Sequence, residues 1–304
     1  MNSLPLVSIV LCAYNGEAFL KEQLFSLENQ TYKNIEFICS DNDSTDKTSA
    51  ILTQWCNENE NRKFFSCKEK GLNKNFFSAV KYATGTYIIF CDQDDIWLET
   101  KVEELINFHE QNANASMVYC LSKPFTDKPP ADLRIKNPIN RIDGMDIRKT
   151  LFVSHTLGHN ICIKKVNLDK IPVPENETVA FDWWITVSAM CLGNIKCLHK
   201  ILTFWRQHKS NTSNRFNEGS YYENRIKYLR QFETNELINK DQKKWIQNAI
   251  GGFSELAEKK FSKKLFLFFI KNADIIFFYK TKKNPVLKWI SFTKWALKLS
   301  RKNN

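Results

Sequence analysis

The 304-residue chain has no apolar run of 18 residues, which excludes an ordinary transmembrane helix. No basic stretch precedes its first apolar run, Pro5 to Ala13, so no secretory signal is expected and the chain is assigned to the cytoplasm. The nine cysteines are odd in number, scattered from Cys12 to Cys197 and free of any C-x-x-C pair. That argues against a disulfide framework and against a zinc ribbon, and most are expected to be reduced, buried small hydrophobes. No internal repeat or low-complexity tract is present. With 43% hydrophobic and 25% charged residues the composition is globular, neither disordered nor collagen-like. The length suits one large domain with an appendage, or two modest domains.

Acidic residues are nearly missing from the C-terminal part. From Lys259 to Asn304 there are 13 Lys and Arg against one acid, Asp274, whereas the remaining residues hold 31 basic and 32 acidic side chains. The whole basic excess of +11 therefore lies in the tail. A neutral body with a basic tail suits an anionic surface, either phospholipid or nucleic acid.

Pro5 to Ala13 reads as a buried strand that ends in the turn Tyr14-Asn15-Gly16, and Glu17 to Asn29 as a helix. Asn34 to Ser40 is strand-like. Ser44, Thr45 and Asp46 offer N-caps for a helix through about Trp55. Phe64 to Cys67 reads as a short strand, Asn75 to Ala83 as a helix, and Tyr87 to Cys91 as the strongest strand in the chain. Leu98 to Glu110 is predicted helical, Met117 to Cys120 extended, and Ser122 to Asn140 a proline-rich irregular loop. Thr150 to Ile163 and Ile195 to Trp205 look partly extended, with Phe181 to Leu192 helical between them and helices throughout after about Asn217. Strands alternating with helices imply an α/β fold with a parallel sheet and right-handed crossovers. In such sheets ligands bind beyond the carboxyl ends of the strands, where Asp92 to Trp97 falls.

Asp92, Asp94 and Asp95 place three carboxylates within four positions at that strand end. Their mutual repulsion is most readily tolerated beside a cation, and oxygen ligands suit Mg²⁺ or Mn²⁺. An acidic turn in which Asp94 or Asp95 caps the next helix is the plainer alternative.

Four blocks in order resemble glycosyltransferase family 2, whose members have the GT-A nucleotide-diphospho-sugar transferase fold. They are Val7 to Gly16; Ser40-Asp41-Asn42-Asp43-Ser44-Thr45-Asp46; Gly71 to Phe76 through Gly85 to Phe90 into Asp92-Gln93-Asp94-Asp95; and Phe181-Asp182-Trp183-Trp184 with Trp205-Arg206-Gln207-His208. Together they span about residues 5 to 211. The combination is most similar to the rhamnosyltransferase-like branch that builds bacterial surface polysaccharides. The resemblance implies a Rossmann-like, mostly parallel sheet flanked by helices over residues 1–216, with a helical, basic extension over 217–304.

It also implies roles. Asp41 would accept a hydrogen bond from the nucleotide base, with the backbone of Ala13, Tyr14 and Asn15 lining the same pocket. Asp92 and Asp94 would form the D-x-D pair, Asp94 being the first choice for metal contact and Asp95 the second; the divalent ion, Mn²⁺ or Mg²⁺, would neutralise the diphosphate leaving group. Lys74 is read either as reaching a phosphate or as solvated. Asp182 corresponds to the general base that deprotonates the acceptor hydroxyl, although Phe181 stands where many relatives carry His or Tyr. Arg206 and His208, one residue apart, would face one side and hold the departing diphosphate, with His208 a further metal ligand. Gly158-His159-Asn160 resembles a segment on the acceptor side; His155 and His159 are weaker candidates. Trp183 and Trp184 are read as stacking on sugar or as core.

The implied reaction is inverting transfer from a nucleoside-diphosphate sugar to a hydroxyl of a glycan or lipid-linked oligosaccharide. In the tail, Leu265 to Ile270 and Ile275 to Tyr279 are too short to span a bilayer but long enough to lie on one. In Val286 to Leu299, Trp289, Phe292 and Ala296 share one helical side while Ser291, Lys294 and Lys298 share another, as in interfacial helices. A helical cap on the transferase domain is the alternative. The expected location is the inner face of the cell membrane, held peripherally. Two other readings are a catalytically silent nucleotide-sugar-binding scaffold, which retention of Asp92, Asp94, Asp95 and Asp182 disfavours, and a nucleic-acid binder, which the lack of any recognised module disfavours. No nucleic-acid partner is expected. A nucleotidyltransferase on a similar sheet would leave the Trp183-Trp184 and Arg206-His208 blocks unexplained.

Overall fold

The computed structural model describes residues 4–134, 141–209, 220–279 and 284–302. The chain forms two compact units, one of residues 1–139, 143–145 and 156–211, the other of residues 140–142, 146–155 and 212–304. The boundary expected at 216/217 lies outside the described residues, as does 135–140 at the end of the expected loop.

The first unit is built on an eight-stranded sheet in the order β3-β2-β1-β4-β7-β6-β8-β5. Its strands are β1 (Val7–Ala13), β2 (Ile35–Asp41), β3 (Arg62–Ser66), β4 (Tyr87–Asp92), β5 (Ile96–Trp97), β6 (Ala115–Phe125), β7 (Ile161–Lys164) and β8 (Asn194–Arg206). β3, β2, β1 and β4 run parallel to one another. Every residue of β1 and β2 is buried, as expected of central parallel strands covered on both faces. Helices α1 (Glu17–Glu28), α2 (Thr48–Asn57) and α3 (Leu72–Val80) connect them. α1 turns Leu20, Leu24 and Leu27 into the core, and each fully buried leucine is worth about 1.5–3 kcal/mol.

The chain order reverses at β1, which has β2 on one side and β4 on the other, and this opens a crevice at the carboxyl ends. Register places Ala13 opposite Asp41, and Cys12 opposite Asp92, so three loops leave the sheet at one edge.

The far half of the sheet is mixed. β7 pairs antiparallel with β4 and β6, β6 and β8 are parallel, and β5 pairs antiparallel with β8. β6 runs on to Phe125, so Ser122 to Phe125, read from sequence as loop, is strand. Pro124 is tolerated because β7 pairs only with Met117 to Tyr119, which leaves this end of β6 with β8 as its named strand partner. Thr150 to Ile163, expected as partly extended, is strand only from Ile161; Gly158–Asn160 is a 3-10 turn. Helices α4 (Lys101–Gln111), α5 (Lys165–Leu168) and α6 (Phe181–Leu192) complete the unit. All nine cysteines belong to it, eight of them buried and none in a disulfide.

The second unit contains α7 (Tyr221–Thr234), α8 (Lys240–Glu258), α9 (Lys263–Lys271), α10 (Ala273–Ile276) and α11 (Pro285–Leu299). α8 opens with a capping box between Asn239 and Gln242. A side chain at Gly252 would meet Leu265 at 3.0 Å, so the glycine lets α8 and α9 approach closely. Phe152, Trp245, Phe253, Phe268 and Phe269 form an aromatic core with ring separations of 4.8–6.3 Å. The apolar stretches Leu265 to Ile270 and Ile275 to Tyr279 supply this core with Leu265, Phe269, Ile276 and Phe277. On α11, Phe292 and Ala296 turn inward, Phe292 against Phe277 at 5.8 Å, whereas Trp289 is 62% exposed. The shared side expected for those three residues is therefore divided, Phe292 and Ala296 packing inward, and the outward apolar face is Val286, Leu287, Trp289 and Ile290. No helix among the described residues is long and apolar enough to cross a membrane.

Candidate active site

At the end of β2, Asp41 closes a turn on itself: its carboxylate accepts from the Ser44 hydroxyl at 2.5 Å and the Ser44 N–H at 3.2 Å. Asp43 and Asn15, at φ 63° and 48°, take the left-handed conformation that these turns need. Asn15 N–H donates to Ser44 Oγ (2.8 Å) and Asn15 Oδ1 accepts from Thr45 N–H (2.9 Å), which stitches the loop after β1 to the loop after β2. The loop after β1 is tied to the acidic turn as well, through Tyr14 and Gln93. Ala13, Tyr14, Asn15 and Asp41 thus form one connected rim. Lys74, half exposed on α3, pairs with Glu69 at 3.5 Å.

The acidic turn divides into two groups. Asp95 is fully buried and Asp92 is about one-third exposed; Nδ1 of His159 lies 2.8 Å from Asp95 and 3.1 Å from Asp92. Ligand atoms of these three residues lie within 4.8 Å of one another. Burial lowers the proton affinity of His159, but the carboxylates of Asp95 and Asp92 outweigh it and bring the imidazole up to about 9. The second group is Asp94 with His208, Nε2 to Oδ2 at 2.7 Å. Burial, followed by the charges of Asp95 and Asp92, raises the Asp94 carboxyl to about 6 against the pull of His208. Neither Asp94 nor Asp95 caps a helix, since α4 begins at Lys101 with Thr100 as its cap residue.

Arg206 ends β8 and binds the acidic turn from behind. Its N–H donates to Asp95 Oδ1 (3.1 Å), its Nε to the Asp94 carbonyl (2.8 Å) and a terminal nitrogen to Glu22 (2.9 Å), with Phe19 and Phe125 beside the guanidinium. Its side chain is 6% exposed. Arg206 is thus engaged in shaping the Asp94 peptide and in holding Asp95 and Glu22. His208 also rests on Phe19, ring centroids 4.7 Å apart.

Asp182 lies in the first turn of α6, partly exposed, and accepts from Trp183 N–H (2.7 Å) and Gly158 N–H (3.1 Å). Desolvation raises its carboxyl to about 6; those two donors and His159 oppose the shift, while the charge of Asp92 adds to it. Trp183 and Trp184 are both buried, and Trp184 donates to the Pro172 carbonyl at 2.6 Å. They are core residues, against the reading in which they stack on sugar. His155 belongs to the second unit, bonded to the Lys149 carbonyl at 3.2 Å.

The convergent set, Asp92, Asp95 and His159, offers carboxylate oxygens and an imidazole nitrogen, ligands that Mn²⁺ and Mg²⁺ accept. Asp94 and His208 form a separate pair of the same ligand types.

The family model described as Glycosyl transferase family 2 matches residues 8–170, just over half of the chain. The chain belongs to glycosyltransferase family 2. It is 29% identical over 182 residues, 58% of this chain and 20% of the relative, to the minor teichoic acid biosynthesis protein GgaB of Bacillus subtilis (strain 168). It is 38% identical over 110 residues, 35% of this chain and 42% of the relative, to the UDP-Glc:alpha-D-GlcNAc-diphosphoundecaprenol beta-1,3-glucosyltransferase WfaP of Escherichia coli. The match thus spans under half the length of either relative. Among solved structures, S. aureus TarS 1-349 in complex with UDP-GlcNAc superposes with a TM-score of 0.62 at 19% identity, over 96% of this chain and 81% of that one. That likeness shows the GT-A fold.

Within this family 2 chain, sequence reasoning missed the residues that hold the site from behind. Lys101, fully buried, donates to the His159 carbonyl (2.6 Å) and the Thr203 hydroxyl (2.8 Å), with Trp97 beneath it at 3.4 Å. Burial lowers its ammonium to about 8. A lysine at the start of an amphipathic helix carries no signal of this. Gln93 and Glu22 were equally silent, since their partners lie 79 and 184 residues away.

Proposed function

We propose that the chain is an inverting glycosyltransferase that moves a sugar from a nucleoside-diphosphate sugar to a hydroxyl of a growing bacterial surface glycan. The observation that carries this reading is Asp182, held by two backbone N–H groups within the electrostatic reach of Asp92 and His159, with its carboxyl near 6. A base of that strength is ionised at neutral pH and still accepts a proton in the transition state. Oδ of Asp182 takes the acceptor proton as the acceptor oxygen bonds to the anomeric carbon, and the bond from that carbon to the diphosphate oxygen breaks on the opposite side. One displacement inverts the centre, and the nucleoside diphosphate leaves.

Asp41 and the backbone of Ala13 to Asn15 would seat the nucleotide. A divalent ion on Asp92, Asp94 and His208 would offset the diphosphate charge. Arg206 and Lys101 hold the carboxylate-bearing peptides and His159 in place. The lipid-linked substrate in WfaP's name and the UDP-GlcNAc in the TarS complex support a UDP-sugar and a lipid-linked acceptor. The order of the acidic, Asp182 and Arg206–His208 blocks supports the rhamnosyltransferase-like branch, and a hexose or deoxyhexose as the sugar. Exposed Val286, Leu287, Trp289 and Ile290, with exposed Lys294 and Lys298 on the same helix, support a peripheral seat on the inner, anionic face of the membrane.

The test is binding and turnover of UDP-, dTDP- and GDP-linked sugars with and without Mn²⁺ or Mg²⁺. One donor should bind with metal, lose binding in Asp94→Ala, and bind without turnover in Asp182→Ala. Binding of a donor without turnover by the wild type would leave the silent scaffold as the better reading, and failure of every donor to bind would remove both.

A further inference from the structure

The loops of the nucleotide side and the helix that carries Asp182 are joined through one carboxylate. Glu177, between α5 and α6, accepts from Asn73 N–H at 2.9 Å and Lys74 N–H at 3.2 Å. These groups lie in the first turn of α3, where N–H groups lack helical partners and a negative charge is favoured. Asn73, itself 2% exposed, answers with its side chain: Nδ2 donates to the carbonyls of Asn176 (3.1 Å) and Val179 (2.8 Å). Four hydrogen bonds thus join segments about 100 residues apart.

Both flanks of this joint lead to the site. Gly71, at φ 140°, would place a Cβ 2.4 Å from Glu177 Oε1, so the carboxylate fits only because no side chain is there. Gly71 N–H donates to Asn42 Oδ1 at 3.1 Å, and Asn42 follows Asp41 at the end of β2. On the other flank, Phe181, the residue before Asp182, stacks on Phe76 of α3 at 3.9 Å. The same ring occupies the space that a side chain on Gly158 would need, and Gly158 donates to Asp182.

We infer that Glu177 and Asn73 are positioning residues, a latch that ties the placement of Asp182 to the order of the nucleotide-side loop. The inference rests on the reading of Asp182 as the base. Ordering of Asp41 and Asn42 by a nucleotide is transmitted through Gly71 to the Glu177 carboxylate, and from there to the start of α6. With the latch open, α3 keeps its fold but the segment before Asp182 loses its anchor.

Hydrogen–deuterium exchange on the full chain tests this, with wild type, Glu177→Ala and Glu177→Gln compared with and without UDP and Mn²⁺. Without ligand, Glu177→Ala should speed exchange about tenfold in both 71–75 and 176–184, and Glu177→Gln, which keeps one acceptor oxygen, about threefold, with β1 and β4 unchanged. UDP should slow both segments in wild type and only 71–75 in Glu177→Ala. Faster exchange in 71–75 alone, or equal UDP protection of 176–184 in the variant, would overturn the latch. Absence of any UDP effect in wild type would count against the nucleotide-sugar reading, and the ligand-free comparison would still decide the latch.

Discussion

Gln93 holds both backbone polar groups of Tyr14. Its Oε1 accepts from the Tyr14 N–H at 2.8 Å and its Nε2 donates to the Tyr14 carbonyl at 3.0 Å. A side-chain amide thereby imitates a strand partner and fixes the distance between the turn after β1 and the acidic turn after β4. Gly16 completes the fit, since a Cβ there would stand 2.3 Å from Gln93 Oε1.

Loosening that joint should weaken nucleotide binding without unfolding the sheet. Gln93→Ala removes two hydrogen bonds of about 1 kcal/mol each, and Gly16→Ala displaces the amide sterically. Calorimetric titration with UDP and Mn²⁺ should give a Kd about five- to tenfold higher for both variants. Wild-type affinity in both would show that the joint does not shape the pocket.

The pH profile should carry the signature of Asp182. Its carboxyl sits near 6 rather than at the usual 3.8, so the ionised, competent form is depleted as pH falls through about 6. Below that point kcat/KM should fall at least about tenfold per pH unit, more steeply where the Asp94 carboxyl, also near 6, protonates with it. Asp182→Asn should lose about 10²–10⁴ in turnover at pH 7.5 while it still binds the donor. An acid limb with its midpoint near 4 would point to a solvated carboxylate instead.

His159 should make stability depend on pH in the opposite sense to a paired acid. Its folded value, about 9, lies above the ordinary 6.5, so the folded state holds more protons through that window. The contribution is complete below about 6.5 and is lost as pH rises through about 9. In chelator, the melting-temperature gap between wild type and His159→Gln should amount to several degrees at about pH 6 and close by about pH 9.5. A gap that widens with pH would contradict the ion pairs with Asp92 and Asp95.

The outward turn of α11 should govern attachment to lipid. Leu287→Ser and Trp289→Ser should each cut co-sedimentation with phosphatidylglycerol vesicles about fivefold or more, with helix content unchanged. High salt should weaken the wild-type interaction by screening the lysines. Binding equal to wild type in both variants would remove this face from consideration.

The parallel half of the sheet was readable because each of its elements carries its own period. β1, β2 and β4 are short and mostly apolar, interrupted by Ser8 in β1 and Glu36 in β2, α1 repeats leucine at 20, 24 and 27, and α6 is legible from Phe181 to Leu192. The antiparallel entry of β7, the two-residue β5 and the run of β6 through Pro124 follow from pairings between distant segments, which leave no local trace. The site divides the same way. The ordered motifs pointed to Asp41, Asp92, Asp94, Asp182 and His208. That Arg206 is absorbed by Glu22 and the Asp94 carbonyl, or that Lys101 lies buried under His159, depends on folding that brings them together.

The distribution of sulfur makes the two units chemically distinguishable. Every cysteine belongs to the sheet unit, with Cys12, Cys39 and Cys91 on the parallel strands β1, β2 and β4, while Cys191 is the one half-buried rather than buried. A thiol-reactive reagent therefore reports opening of the sheet and is blind to the helical unit, whereas tryptophan fluorescence reports both, five tryptophans lying in the sheet unit and Trp245, Trp289 and Trp295 in the helical one. Followed together during denaturation, the two signals would reveal whether the units melt in one transition or in two.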